Sequence, residues 1–125
     1  MVKEARTGEC TQRCCAGKHY FCSVELALQV IGGKWKPIIL WHLRTGDKQR
    51  FGELKRHMPN VTQKMLTQQL RELESDGMIL REVYPQVPPK VEYSLTDLGL
   101  SVMPILDQLS KWGTLFEAEY AAHVV

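Results

Sequence analysis

The sequence predicts a mainly α-helical fold with one small β-hairpin: a winged helix-turn-helix with an additional helix at each end. Three observations carry that expectation. Residues 51–79, FGELKRHMPNVTQKMLTQQLRELESDGMI, read as two helices joined by a tight turn. Residues 79–84 and 91–95 then change to alternating strand formers around a proline-rich tip. Nine Lys and Arg against two acids between residues 34 and 71 concentrate positive charge over the same helix pair.

Within that pair, the first helix spans residues 51–58 and stops before Pro59, which has no N–H to continue it. Pro59, Asn60 and Val61 make the turn. Thr62 is placed to cap the second helix by accepting from an early backbone N–H. The second helix covers residues 63–76 and ends at Gly77, the residue type that tolerates a left-handed cap. Leu66, Leu70 and Leu73 give it one apolar stripe. Gln63, Lys64, Thr67, Gln68 and Arg71 fall on the other side, with no acid among them. Gln and Arg make paired hydrogen bonds to base edges in a DNA major groove, while Lys and Thr reach phosphates. An ordinary amphipathic helix with a solvated face has the same pattern in isolation. The surrounding sequence favours DNA.

A net charge of +2 implies no nucleic-acid partner, but its distribution does. The nine cations are Lys34, Lys36, Arg44, Lys48, Arg50, Lys55, Arg56, Lys64 and Arg71, and from Glu72 onward three basic residues face nine acids. A length of 125 residues fits one domain with a real core. No apolar run reaches membrane-spanning length and no signal-peptide core opens the chain, so a cytoplasmic protein without a membrane partner is expected.

The chain divides into a flexible, cysteine-containing segment over residues 1–21 and a DNA-binding and dimerisation domain over residues 22–125. A short helix starts near Ser23, carries Leu26, Ala27, Val30 and Ile31 on one face, and ends at Gly32 and Gly33. The next opens at Lys34, with Pro37 tolerated in its first turn and Trp35, Ile38, Ile39, His42 and Leu43 on its inner face. His42 reads as a packed histidine and not a ligand. The strands at 79–84 and 91–95 form a wing, joined through Pro85, Pro88 and Pro89, with Arg81 and Lys90 placed for phosphates. Thr96 caps a long helix or helix pair reaching Tyr120, which Pro104 kinks or restarts. Its apolar face is Leu98, Val102, Ile105, Leu106, Leu109, Trp112, Leu115 and Phe116. That face is too broad for one small domain and is expected to meet a second copy, with the first helix, across a two-fold axis. The alternative is that it covers the domain's own core. A homodimer would set two recognition helices about 34 Å apart, one helical turn, to read inverted half-sites.

These residues resemble the HxlR family of winged-helix transcriptional regulators. The matching pieces are C-S-V-E-L-A-L-Q-V-I-G-G-K-W-K over residues 22–36, F-G-E-L from Phe51 and T-Q-K-M-L-T-Q-Q-L-R-E-L-E-S-D-G from Thr62. V-P-P-K-V-E-Y-S-L-T-D-L-G from Val87 and the pair Trp112–Gly113 complete the match, which covers nearly all of the chain after Phe21. The resemblance implies a homodimeric DNA-binding regulator that pairs through its first and last helices. In many members Pro follows the first-helix cysteine; Ser23 stands there, itself a good helix starter.

Cys10, Cys14, Cys15 and Cys22 all precede the core. In a cytoplasmic protein they are expected as thiols. Cys22 opens the first helix, where unpaired N–H groups favour a thiolate. The resemblance implies a redox role there, since some relatives sense oxidants or electrophiles through a cysteine at the position matching Cys22. Oxidation would bridge Cys22 to another cysteine, across the dimer or in the N-terminal segment. The competing reading is a small inert residue at the interface. Cys10, Cys14, Cys15, His19 and Cys22 also suit a soft metal or metalloid by chemistry, but C-x3-C-C-x3-H-x2-C matches no zinc spacing, and no metal or cofactor is assigned. An enzyme would need a nucleophile in a formed pocket or a phosphate loop, and neither pattern occurs. A winged helix used only to bind proteins would not need the acid-free polar face and the basic block.

Overall fold

The computed structural model describes residues 11–123. Its first element was not expected. Arg13–Cys15 (β1) and Lys18–Tyr20 (β2) pair antiparallel, with Cys14 opposite His19 and Cys15 opposite Lys18. The two-residue turn is Ala16–Gly17, both at positive φ, the backbone that matches hairpin twist. The segment read as flexible therefore contains a hairpin, too short at three residues per strand to show alternation. Its Lys18 forms an ion pair with Asp76 at 3.3 Å, and the His19 carbonyl accepts from Gln29 Nε2 at 2.8 Å. Cys10 lies outside the described residues.

Ser23–Ile31 (α1) follows, with Cys22 as N-cap and Ser23 as the first helical residue, one position from the expected cap. Trp35–His42 (α2) buries Lys36, Ile39 and Leu40. Phe51–His57 (α3) and Gln63–Ser75 (α4) form the helix-turn-helix with the expected breaker and cap: Thr62 Oγ1 accepts from the Met65 N–H at 3.0 Å. Gly77 has φ +77°. Ile79–Tyr84 (β3) pairs antiparallel with Lys90–Leu95 (β4), and the backbones of Gln49 and Tyr93 exchange hydrogen bonds of 2.9 and 2.7 Å that tie this wing to the segment leading into α3. Thr96 caps Asp97–Ser101 (α5), and the chain restarts next to Pro104 as Met103–His123 (α6).

The core is made where α2, α3, α4 and the base of the wing meet: Leu40, Leu43, Leu54, Leu66, Leu73 and Ile79 are fully buried. The long helix departs from expectation. Of its predicted apolar face only Val102 and Leu106 are buried, and the rest of that face is exposed. Amphipathicity marks an apolar stripe but not what covers it.

Where α2 meets α3, the rings of His42 and His57 stack with centroids 4.8 Å apart. Burial first, then the like charge of His57 and of Arg44, hold the His42 pKa below its ordinary 6.5. The fold therefore favours neutral His42. Its stabilising effect is present above the unfolded-state pKa of about 6.5 and is lost as pH falls through the lower folded value. Urea midpoints measured from about pH 7.5 to about pH 5 should fall less in His57→Gln than in the wild type. An equal fall would remove His57 from the account.

Candidate nucleic-acid interface

The stripe Leu66, Leu70 and Leu73 is buried, so the opposite side of α4 is forced outward. Gln63, Lys64, Thr67, Gln68 and Arg71 line one shallow depression on it, as the helical spacing requires. Lys64 and Arg71 have no ion-pair partner among the described residues. Thr62 uses an oxygen lone pair for the cap, leaving its hydroxyl hydrogen available, whereas Thr67 donates its own to the Gln63 carbonyl at 2.8 Å. Gln68 Nε2 donates to Glu72 Oε2 at 2.8 Å.

The wing places its two cations differently. Arg81 lines a cleft with Thr67, Leu70, Arg71, Glu74 and Tyr93, which joins it to the exposed side of α4. Lys90 lies 4.8 Å over the Tyr84 ring and 3.7 Å from Glu92, on the wing's own surface and outside that cleft. Lys48, part of the basic block, is tied to Glu82 at 2.8 Å. Hydrogen bonds to Glu82 and then Tyr84 hold its pKa above the ordinary value. Val87, in the proline-rich tip, is almost wholly exposed.

One residue of the basic block is not on this surface at all. Lys36 points inward from α2, is 7% exposed, and meets Glu72 Oε1 at 2.6 Å. Charge counting along a sequence cannot see direction, and the partner lies 36 positions away in the chain. Glu72 is the residue that the sequence reading missed. Its carboxyl is held below the ordinary range, first by the Lys36 hydrogen bond and then by that of Gln68.

Cys14, Cys15 and Cys22 are exposed free thiols. Cys22 makes no side-chain capping bond. Among the described residues, no group of three or more His, Cys, Asp or Glu is gathered so as to hold a metal ion.

The family model for the HxlR-like helix-turn-helix matches residues 30–120. The chain belongs to that family. As an HxlR-like chain it is a helix-turn-helix transcriptional regulator and not an enzyme. The HTH-type transcriptional regulator YtcD of Bacillus subtilis is 66% identical over 96 residues, covering 77% of this chain and 75% of that one. The redox regulator HypR in its reduced form aligns with TM-score 0.76 and 52% identity, over 82% of this chain and 100% of that one. HypR in its oxidised form aligns with TM-score 0.71 and 58% identity, over 74% and 95%. Cys14, Cys15 and Cys22 precede the stretch that the HxlR-like model matches. Among the described residues, no helix is long and apolar enough to cross a membrane.

Proposed function

We propose that this HxlR-like regulator works as a cytoplasmic homodimer on an inverted-repeat operator, with a thiol switch at Cys22. The observation that carries the reading is the exposed depression on α4 lined by Gln63, Lys64, Thr67, Gln68 and Arg71, fixed in place by a buried leucine stripe. Gln68 and Arg71 are the base-reading residues. Thr62, Gln63, Lys64, Thr67, Arg81 and Lys90 contribute to the phosphate and groove contacts that set register. Of these, Lys90 must first leave Tyr84 and Glu92, so it contributes least. Residues 22–125 form the DNA-binding and dimerisation unit, and residues 1–21 are an appendage to it.

Dimerisation is supported by the exposed apolar faces of α1 and α6, including Val24, Leu28, Trp112 and Phe116. The switch is supported by an exposed Cys22 thiol and by the likeness to HypR, a redox regulator. Two thiols joining as a disulfide give two electrons and two protons to the oxidant. A bridge from Cys22 to Cys14, Cys15 or Cys10 of either subunit would shift α1 and, through the dimer, the spacing of the α4 helices. A small oxidant or electrophile is then the effector.

The test is capture of sheared genomic DNA by the reduced protein and by protein treated with diamide. Enrichment of an inverted repeat by the reduced form, lost on oxidation and retained by oxidised Cys22→Ser, is the expected result. Enrichment unaffected by diamide would remove the switch. No enriched sequence in either state would remove DNA reading.

A further inference from the structure

We propose that Glu72 is a positioning residue for base reading: it orients the amide of Gln68 so that Gln68 pairs with adenine and not guanine. The inference rests on the reading of α4 as the DNA-reading helix. Gln68 and Glu72 are one helical turn apart, and Gln68 Nε2 stands 2.8 Å from Glu72 Oε2. An ionised carboxylate only accepts hydrogen bonds, so the NH2 end of the amide must be the end that faces it. Glu72 is itself held from behind. Its other oxygen meets the Lys36 ammonium at 2.6 Å, and Lys36 is buried on α2. A buried cation keeps its counter-ion charged and in place. Neither Lys36 nor Glu72 needs to touch DNA.

With one N–H committed to Glu72, Gln68 has its carbonyl oxygen and its second N–H left. One acceptor beside one donor complements the N6 amino group and N7 of adenine. Guanine shows two acceptors, O6 and N7, along the same edge. Pairing with both would turn the NH2 group fully toward the base and bring the Gln68 carbonyl against the Glu72 carboxylate. The bridge from Lys36 through Glu72 thus makes a rotatable amide directional.

Glu72→Gln gives the sharpest test. Its carbonyl takes over the Lys36 hydrogen bond, so its NH2 group faces Gln68 and turns the Gln68 carbonyl inward. The NH2 end of Gln68 then faces the groove. The full chain, reduced, is used to select binding sites from a pool of random DNA duplexes. Wild type should select an adenine in each half-site that Gln68→Ala no longer selects. Glu72→Gln should shift that one position toward guanine, with the rest of the motif unchanged. The double variant Lys36→Met/Glu72→Met removes both charges together, leaves no buried unpaired ion, and should lower the adenine-over-guanine preference about tenfold. In a Gln68→Ala background the Glu72 substitution should have no further effect on this position. An adenine preference unchanged in both Glu72 variants, or weakened equally at every position of the motif, overturns the inference while leaving α4 as the reading helix. A wild type that selects no motif overturns the reading and the inference together.

Discussion

Trp112→Glu should sediment as a monomer and bind the operator about a hundredfold or more weaker than wild type. The stripe Ile105, Leu109, Trp112, Phe116 and Tyr120 runs along α6 at helical spacing, and each of these side chains is more than half exposed. The Trp112 and Phe116 rings meet at a tilt with centroids 5.6 Å apart, and Phe116 and Tyr120 stack at 6.3 Å, so the aromatic rings run continuously along the helix. A contiguous exposed apolar surface of this kind marks an interaction face. The Trp112 ring meets Phe116 of its own helix, so removing it should leave the monomer's fold in place. A carboxylate at the centre of an apolar interface has no partner and is expensive to desolvate. Losing the second subunit also loses simultaneous engagement of two half-sites, which is where the drop in affinity comes from. Sedimentation equilibrium with unchanged far-UV circular dichroism checks both halves. A Trp112→Glu protein that remains dimeric would move the interface elsewhere.

Gly99→Ala should destabilise the fold by about 3 kcal/mol, at the upper end of the range for overpacking. Gly99 is buried in α5 where that short helix lies on the start of the wing. A Cβ there would collide with the backbone carbonyl of Met78 and sit 3.1 Å from Leu95 Cδ2. The Met78 carbonyl also accepts from the Thr96 N–H at 3.2 Å, so it cannot retreat without loosening the cap of α5. The Leu95 methyl can shift, but the Met78 backbone cannot swing aside, so the clash with its carbonyl sets the cost. Gly52, also helical but with nothing within 4 Å of an added Cβ, is the matched control. Gly52→Ala should be neutral or stabilising by about 0.5 kcal/mol, since Ala is the better helix former. Urea unfolding of the two variants separates local packing from a general intolerance of alanine.

The parts of this molecule that could be read from sequence are those determined within a few residues. Thr62, Pro59 and Gly77 act on their own neighbours, so the boundaries of α4 came out within one residue of the observed ones. Strand β3 was likewise legible from its alternation and its flanking Gly and Pro. What was not legible depends on contacts between distant positions. Lys36 is indistinguishable from Lys34 in a charge count, yet it is buried against Glu72. Lys48 and Lys90 lose part of their electrostatic reach to Glu82 and Glu92 on the wing. The β1–β2 hairpin is held in part by Lys18–Asp76 and Gln29–His19, pairs that no periodicity announces. The basic block overlaps the exposed side of α4 proposed as the DNA interface, but it overcounts the cations available there.

The most direct test of the account is a hydroxyl-radical footprint of the reduced protein on the duplex it selects. If two copies each place α4 in a major groove, protection should fall in two patches related by a two-fold axis. Their centres should lie about 34 Å apart along the helix. Arg71→Ala should weaken both patches together at equal protein concentration. A single patch, or protection that survives Arg71→Ala and Gln68→Ala unchanged, would contradict the central claim that paired α4 helices read the DNA.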